Sequence, residues 1–473
     1  MRNRIRDLAS RLTGNGPGAE PAPSDDVPCV PCQQKQGVRQ FSLNDAPPPV
    51  PDDFVPVFHT DLSYAVLDGQ VVLHDPERDA SHVLNAGAAI VWASIDDQST
   101  AAELVAEIAR STGESVETID RDVRMALASF ISAGILHPQQ PLEPPTDPAV
   151  ELAAAEHAAA TQVEHERRRA ASRSRIARAL EHQAWCPNAG ARQVGATTVL
   201  VRTNDAEIAS HLDKVLPSLP AAAAAASTIS VVDRGRNGTH RYRIIIDDEI
   251  RMRRSTAGEA ADQVLTELNL MAIANTPDKM LFHGGAVERE GQVVAVLGIS
   301  GQGKSTLTAA LVQRGWNYVS DELVIVDPAT YHVDPYPKAL DLGEESVALL
   351  DSVRPISTFA TGKAQVSPES LGTTSKGGHL VLMVMLAVAD EGDLGDPTAA
   401  VSPLAAIESL QQLMMNTFRE TMALPEALER QARLCTTVPA VALARTSLDR
   451  SCALIEQTLR AVAPASNTHE LQP

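Results

Sequence analysis

One segment in the second half of the chain has the residue types and spacing of a phosphate-binding loop. It carries the pattern GxxxxGK[ST] between an apolar stretch, residues 292–297, and a helical pattern over residues 306–314. The glycines permit main-chain conformations that a Cβ disfavours, so amide groups of the loop and of the helix start can surround a phosphate. The sequence therefore predicts a nucleotide site formed by Gly298, Ile299, Ser300, Gly301, Gln302, Gly303, Lys304, Ser305 and Thr306.

Side chains in and after this loop predict phosphoryl chemistry. Lys304 can reach the β- and γ-phosphates, and the Ser305 hydroxyl can bind Mg²⁺. An acidic pair, Asp321 and Glu322, follows the next predicted strand, and a carboxylate opposite the loop can hold Mg²⁺ or accept a proton from an attacking hydroxyl. A solvated acidic turn is the alternative for that pair. The set predicts ATP and Mg²⁺ as cofactors, with Ser305, Asp321 and Glu322 as metal ligands.

A histidine stands shortly before the loop. His283 lies in Leu281–Ala286, directly ahead of the predicted hairpin that leads into residues 292–297. A lone histidine is more often structural, but this position favours a place near the bound phosphate. We therefore treat His283 as a candidate catalytic residue.

The elements that must position these residues are those of an α/β domain. From about residue 190 the chain alternates between strand-type and helix-type patterns. The domain is predicted over 191–465, with an accessory part at 191–280 and a nucleotide-binding core at 281–465.

A smaller unit is predicted over residues 59–137. Three short strand patterns precede three helix patterns. The first strand pattern covers Ser63–Leu67 and is followed by the turn signal Asp68-Gly69, and the first two helix patterns cover Ala86–Ser94 and Ala101–Thr112. Thr100 with Glu103 resembles a capping box at the start of the second helix. This order predicts a winged-helix-like α+β domain. A winged helix that reads DNA is disfavoured, because the third helix pattern carries more acidic than basic residues.

Several short motifs of this smaller unit carry a family resemblance. They run from Val66–Gly69 through residues 74–76, 83–85 and 90–92 to residues 133–136. Together they resemble the PqqD family, which recognises the leaders of ribosomally made, modified peptides. The resemblance implies that the leader peptide adds as a strand beside the third strand and lies against the third helix. The candidate peptide-binding residues are therefore Ser81, His82, Val83, Leu84, Val123 and Ala126.

Strand addition would supply affinity through main-chain hydrogen bonds and specificity through side-chain pockets. The alternative for this unit is a winged helix that only packs against its neighbour.

The phosphate-site motifs carry a second resemblance. His283-Gly284, Gly298–Ser305, Arg314-Gly315 and Val319–Glu322 together resemble the HPr kinase/phosphorylase family. This resemblance implies a C-terminal P-loop α/β kinase domain of HPr kinase type, similar to phosphoenolpyruvate carboxykinase. It also implies that Asp321 is the general base on the acceptor hydroxyl, that Glu322 binds Mg²⁺ with Ser305, and that His283 lies near the γ-phosphate. Related kinases are often oligomeric, which implies that this chain can form a homo-oligomer.

The chain departs from that family in two respects. The acidic pair is Asp-Glu where the family usually has two aspartates, and the arginine-bearing signature loop is not recognisable. Lys338 stands in place of that loop, and Lys363 stands where a lysine could replace the arginine that stabilises the transferring phosphoryl group. Both are candidate catalytic residues, and each fits an ordinary surface lysine equally well. The departures leave open whether HPr is the acceptor.

Composition disfavours several other classes. The 473 residues include 40 Lys and Arg against 60 Asp and Glu, which is the opposite of the basic footprint that nucleic acids require. No apolar run reaches the roughly 18 residues that cross a bilayer, and no signal-peptide pattern follows the arginine-rich start. We therefore expect a cytoplasmic protein with no nucleic-acid partner and no membrane span.

The remaining segments are predicted to connect these domains. Residues 1–58 read as a flexible tail, and residues 138–190 read as a linker followed by a long helix. The five cysteines, an odd and sparse count, favour a reducing compartment. Cys29 and Cys32 have the CxxC spacing of a zinc or redox site, but the lack of a second pair and the Pro-rich surroundings disfavour both roles.

Taken together, the patterns predict an ATP-dependent serine/threonine peptide kinase. The first domain would bind the leader of a ribosomally made precursor peptide, and the last would phosphorylate a hydroxyl on it during maturation of a peptide natural product. Two alternatives stay open. The chain could be a phosphotransferase that acts on a carrier protein or small metabolite, or a nucleotide-gated peptide chaperone without phosphoryl transfer.

Overall fold

The computed structural model of the chain describes residues 50–58, 62–67, 70–75, 80–137, 166–235, 241–357, 363–387, 400–418, 426–444 and 446–462. It also describes residues 78 and 359 and the main chain of residues 39–40. The chain divides into two compact units: the first comprises residues 1–146, 405–411 and 422–433, and the second comprises the rest. Cys29 and Cys32, most of the predicted tail, and residues 138–165 of the predicted linker and helix lie outside the described residues.

The first unit contains a four-stranded sheet. Its strands are β1 (Arg39–Gln40), β2 (Ser63–Leu67), β3 (Gln70–Asp75) and β4 (Ala80–Leu84). The order is β1-β4-β3-β2, and the pairs β2–β3 and β3–β4 are antiparallel. β1 instead lies parallel to β4, with Arg39 opposite His82 and Gln40 opposite Val83. The edge of β4 is therefore covered by a segment that precedes it by about forty residues in the chain.

Three helices follow the sheet: α1 (Ala86–Ser94), α2 (Ala101–Thr112) and α3 (Val116–Ser132). Local capping sets where they begin. The Asn85 side chain accepts the Ala88 N–H at the start of α1, and Thr100 with Glu103 forms the capping box of α2.

The three helices and the sheet share one apolar core. Leu73 of β3, Leu104 of α2 and Leu127 of α3 are fully buried in it. Val50 and Phe54, which precede the predicted domain start at residue 59, are buried in the same core.

The second unit begins with a helix and a five-stranded sheet. Residues 166–181 form α4, which is the described part of the long helix predicted from the sequence. The sheet has the order β5-β6-β7-β8-β9 and consists of β5 (Ala191–Val194), β6 (Thr197–Thr203), β7 (Ser227–Asp233), β8 (Tyr242–Ile246) and β9 (Glu249–Arg254). Helices α5 (Ala206–Val215) and α6 (Ala257–Ala274) pack against this sheet.

An eight-stranded sheet forms the larger part of the second unit. Its strands are β10 (Met280–Arg289), β11 (Gln292–Leu297), β12 (Asn317–Ser320), β13 (Leu323–Val326), β14 (His332–Asp334), β17 (Gly378–Leu386), β18 (Val401–Pro403) and β19 (Ala440–Leu443). The order is β11-β10-β13-β14-β17-β19-β18, with β12 also paired to β10 and β17 also paired in parallel to β11. Strands β15 (Leu340–Leu342) and β16 (Ala364–Val366) form a separate antiparallel pair.

The remaining helices are α7 (Lys304–Gln313), α8 (Glu344–Leu349), α9 (Pro368–Leu371), α10 (Ala406–Met415), α11 (Ala427–Thr437) and α12 (Leu448–Val462). α7 packs against β10 and β11, and α12 packs against α7. The mixed α/β class predicted from the sequence is confirmed by these elements. In the described parts of the chain, the helices are too short or too polar to cross a membrane.

Candidate functional site

Strand β10 brings the two predicted motifs to the same place. On one side it pairs with β11, so that Gly284 lies opposite Leu297, the last residue before the glycine-rich segment. On the other side it pairs with β13, so that His283 lies opposite Leu323, the first residue after the acidic pair. Two motifs that lie far apart in sequence are therefore adjacent at one end of the eight-stranded sheet.

Glycines in β10 allow this close approach. A Cβ on Gly284 would lie 2.6 Å from Leu297 Cδ2, and a Cβ on Gly285 would lie 2.1 Å from Oγ1 of Thr308 in α7. Both distances are shorter than any normal contact, so the strand can carry no side chain at these positions without moving its neighbours. The two glycines after His283 thus set how closely α7 and β11 approach β10.

The segment Gly298–Gly303, which we call the glycine loop, links β11 to α7. Gly301 and Gly303 have φ angles of 87° and 92°, in the left-handed region that favours glycine. The N-cap residue of α7 is Gly303, which has no side chain that could accept a hydrogen bond from the start of the helix. Ile299 is 41% exposed at the loop surface. A strand, such a loop and an uncapped helix start suit an anion.

Lys304 lies across the glycine loop. Its side chain is buried, and its Nζ donates to the carbonyl oxygens of Gly298 and Ile299 at 2.7 and 3.1 Å. Further along α7, Thr306 Oγ1 donates to Ser346 Oγ of α8 at 2.7 Å. The lysine ammonium is therefore held at the loop by main-chain acceptors.

Asn416 connects the glycine loop to β10 and was not predicted as a site residue. Its Oδ1 accepts the Gly298 N–H at 3.0 Å, and its carbonyl oxygen accepts the His283 N–H at 2.7 Å. Its Nδ2 donates to the Gln412 carbonyl oxygen. Asn416 therefore holds the main-chain N–H of Gly298, the first residue of the loop. No local motif surrounds Asn416, so only the tertiary structure reveals this contact.

Asp321 and Glu322 form a tight bend, called here the acidic bend, between β12 and β13. The Ser320 hydroxyl accepts the Leu323 N–H and donates to the Leu323 carbonyl oxygen, which closes the bend. The Asp321 side chain is 6% exposed and lies beside the Ser305 hydroxyl. Burial, and next the charge of Glu322, raise the pKa of Asp321 well above 3.8, although the Ser305 hydroxyl lowers it. Its Oδ1 has no hydrogen-bond partner among the described residues.

Glu322 links the histidine and one of the two lysines predicted from the sequence. His283 Nδ1 lies 3.7 Å from Glu322 Oε1, and Lys338 Nζ lies 3.7 Å from Glu322 Oε2. Lys338 is buried and also pairs with Asp341 Oδ2 at 3.3 Å. Burial opposes the charge of Lys338, but Asp341 and Glu322 outweigh it and raise the lysine pKa, so the ammonium stays charged. Lys338 is therefore part of the site, and Asp341 is a partner that sequence reasoning missed.

A polar cavity of about 300 Å³ adjoins the acidic bend. Residues of α6, of the bend and its neighbours, and of the β16 region line it: Asp262, Leu265, Thr266, Asn269, Glu322, Lys338, Asp341, Lys363 and Gln365. Lys363, which is exposed, thus shares a cavity with Glu322 and Lys338. The structure brings all five candidate catalytic residues into one region around the glycine loop, the acidic bend and this polar cavity.

The oxygen atoms at the acidic bend fit a hard cation. Hydroxyl and carboxylate oxygens are the ligands that Mg²⁺ prefers, and the Ser305 hydroxyl already contacts Asp321. The buried, unpartnered Oδ1 of Asp321 is an acceptor that such an ion would satisfy. Among the described residues, no three His, Cys, Asp or Glu side chains form a metal-binding group, so a cation here would rely on Ser305, phosphate or water for further ligands.

The candidate peptide-binding residues of the first unit lie on β4 and α3. Leu84 and Val123 are buried in the core, so their side chains are not available to a peptide in this structure. Ser81 is buried and its hydroxyl lies 3.2 Å from His74 Nδ1. His82 and Val83 lie opposite β1, so the contact at this edge runs through the main chain of β4.

Comparison with known proteins supports the resemblance of the first unit to the PqqD family. Residues 70–136 match the family model described as coenzyme PQQ synthesis protein D (PqqD). No curated protein matches the chain. Among solved structures, the HPr(Ser) kinase/phosphatase from Coxiella burnetii is similar at 15% identity and a TM-score of 0.23, over 39% of this chain and 90% of that chain. A superposition this weak supports no conclusion about function, which has to come from the site itself.

Proposed function

We propose that the chain is an ATP-dependent kinase that phosphorylates a serine or threonine hydroxyl on a precursor peptide. The observation that carries this proposal is the contact between Asp321 and Ser305. It joins a buried carboxylate to the residue that follows Lys304, at the start of an uncapped helix. A carboxylate, an ammonium group and free helix N–H groups are the parts that phosphoryl transfer requires.

The glycine loop would hold the triphosphate of ATP. Its exposed amide groups and the start of α7 would surround the phosphates, and Lys304 would exchange its loop carbonyl acceptors for phosphate oxygens. Ser305, Asp321 and Glu322 would hold Mg²⁺, which neutralises phosphate charge when bound. His283 and Lys338 would hold Glu322 in place from two sides, since each lies 3.7 Å from one of its oxygens.

Asp321 would act on the acceptor. The oxygen of the acceptor hydroxyl forms a bond to the γ-phosphorus as the bond from that phosphorus to the β–γ bridging oxygen breaks. The hydroxyl proton passes to a carboxylate oxygen of Asp321, and ADP leaves. A buried carboxylate is a stronger base than an exposed one, which suits Asp321 to this role.

The first unit would bind the leader of the same peptide. PqqD-type domains recognise precursor peptides, and we assign that role to the winged-helix-like unit around residues 59–137. The pairing of β1 with β4 supports the assignment, because it is a case of strand addition at the edge where the leader would bind. A bound leader would raise the concentration of the acceptor near the second unit, to about millimolar for a short flexible connection.

Transfer of labelled phosphate tests this proposal. The chain would be incubated with Mg²⁺ and ATP labelled at the γ-phosphate, together with separate fractions of peptides, small metabolites and intact proteins from the cells that make it. Label on a serine or threonine of a peptide is the expected result. Label only on a metabolite or a carrier protein would support the phosphotransferase alternative. Label only in free phosphate would support the nucleotide-gated chaperone.

Substitution of Asp321 tests its proposed role as the general base. Asp321→Asn should lower kcat for transfer by about 10²–10⁴-fold, as expected for loss of a general base, while ATP binding persists. Asp278→Asn is the matched control, since Asp278 is exposed and lies outside the site. If Asp321→Asn keeps transfer within about threefold of the wild-type rate, Asp321 is not the base.

A further inference from the structure

The polar cavity and the glycine loop are separate subsites joined by the acidic bend. Glu322 lines the cavity, whereas the preceding residue, Asp321, contacts Ser305 beside the loop. Among the described residues that line the cavity, none belongs to the glycine loop. The cavity is therefore not needed for phosphates, and its position suits the molecule whose proton Asp321 would accept.

The size and polarity of the cavity restrict its ligand. Its volume of about 300 Å³ lies at the lower end of the range for ligand pockets, about 300–1,000 Å³, and excludes a folded domain. Leu265 is the one apolar side chain among the described lining residues. A single polar side chain with its adjoining peptide unit is a suitable occupant.

Charge argues against an anionic ligand. Three carboxylates line the cavity, from Asp262, Glu322 and Asp341, against the ammonium groups of Lys338 and Lys363. The Lys338 charge is already balanced, because its Nζ lies 3.3 Å from Asp341 and 3.7 Å from Glu322. A neutral acceptor peptide meets no electrostatic penalty there, whereas a carboxylate or phosphate would.

Asn269 supplies an oriented hydrogen-bond donor to this cavity. The Tyr336 hydroxyl donates to Asn269 Oδ1 at 2.9 Å. Tyr336 is fully buried, and burial raises the pKa of its hydroxyl above 10, so the proton stays on the tyrosine and the amide oxygen must face it. The Nδ2 of Asn269 is thereby turned away from Tyr336, and it has no partner among the described residues.

From these contacts we infer that the polar cavity binds the acceptor residue of the peptide, and that Asn269 Nδ2 donates to a main-chain carbonyl oxygen of that peptide. The inference rests on the proposed function and adds to it the subsite and a residue that selects a peptide over a small alcohol. Because a peptide carbonyl is present whatever the neighbouring side chains are, this contact would position the hydroxyl without demanding a particular sequence.

Steady-state kinetics of two Asn269 variants test the inference. The probe is a synthetic library of acetylated and amidated pentapeptides with a fixed central serine, used with labelled ATP. Asn269→Ala should raise the KM for the library at least fivefold, as for the loss of one hydrogen bond. Asn269→Asp keeps an oxygen for the Tyr336 hydroxyl but replaces the donor with a second acceptor, so KM should rise at least twentyfold. The KM for ATP should stay within about twofold of the wild-type value.

Leu270→Asp is the matched control, since it adds the same charge one residue along α6 at a side chain that is 45% exposed. It should leave all constants within about twofold of wild type. If Asn269 only supported Tyr336, Asn269→Asp would preserve that contact and leave the library KM unchanged; this result overturns the inference while the proposed kinase stands. If the wild-type chain labels other peptides but never the library, the cavity assignment fails. If it labels no peptide at all, the proposed function itself fails.

Discussion

A buried histidine next to the site predicts a specific dependence of stability on pH. His211 of α5 is 2% exposed, its Nδ1 lies 2.8 Å from Ser357 Oγ, and its Nε2 has no partner among the described residues. Its ring also contacts Phe359, with the centroids 5.3 Å apart. Burial lowers the pKa of His211 from 6.5 to about 4, although the charge of Asp341 opposes this and that of Lys214 adds to it.

The magnitude follows from the difference between the two pKa values. In the unfolded chain His211 takes up a proton below pH 6.5, whereas in the folded chain it stays neutral until about pH 4. Between these values the unfolded state binds more protons, so the free energy of unfolding falls as the pH falls. A difference of about 2.5 pKa units corresponds to about 3 kcal/mol, of which about 2.5 kcal/mol is lost between pH 7.5 and pH 4.5.

The assay measures urea unfolding of the wild-type chain, His211→Asn and His182→Asn at the higher and at the lower of these two pH values. Hydrogen-exchange mass spectrometry of peptides from α5 reports on the second unit without interference from the first. His211→Asn retains a group that can bond to Ser357 but cannot take up a proton, so it should lose about 2–3 kcal/mol less than wild type on acidification. His182→Asn is the matched control, because His182 is exposed, and it should follow the wild-type pH dependence.

Comparing how much stability each protein loses between the two pH values separates the titration of His211 from its packing. His211→Asn also loses ring contacts, but that loss is the same at both pH values and cancels in the difference. If wild type and His211→Asn lose the same stability within about 0.5 kcal/mol, His211 is not held neutral by burial and the reasoning is wrong.

Two further predictions concern β10 and β1. Gly285→Ala should destabilise the second unit by about 1–3 kcal/mol in urea unfolding, because its Cβ would meet Thr308 Oγ1 at 2.1 Å; Gly343→Ala, with open space around it, should stay within about 0.5 kcal/mol. The double variant Arg39→Pro/Gln40→Pro removes both amide donors of β1 and should free the edge of β4. A fluorescein-labelled peptide of residues 35–45 should then bind at least tenfold more tightly by anisotropy than to the double alanine variant, whereas equal binding would show that β1 does not cover this edge.

Local signals were sufficient to predict much of the first unit. The sequence predicts β2, α1 and α2 with the bounds that the structure has. Each has a boundary signal within a few residues, such as the Asp68-Gly69 turn signal after β2 or the Thr100–Glu103 capping box before α2. Where the determinants of an element are that local, a single sequence contains them.

The neighbours of the motifs could not be predicted, because they depend on contacts between distant residues. The glycine loop was recognised from its pattern, but Asn416 reaches Gly298 across 118 positions in the chain. Asp341 likewise gains its importance only from the burial of Lys338 beside Glu322. β1 was missed for a related reason: a two-residue strand has no periodicity to detect, and only its pairing with β4 defines it.

The internal hydrogen bonds of Lys304 have a consequence for ligand affinity at the glycine loop. The ammonium group of Lys304 donates to two carbonyl oxygens of the loop, so its buried charge is compensated by main-chain acceptors. In the proposed function, a phosphate of ATP would replace those bonds, each of which contributes about 1.5–3 kcal/mol because the donor is charged, and only the surplus would appear as affinity. The internal bonds of Lys304 would therefore offset part of the free energy of nucleotide binding and favour faster release of the nucleotide.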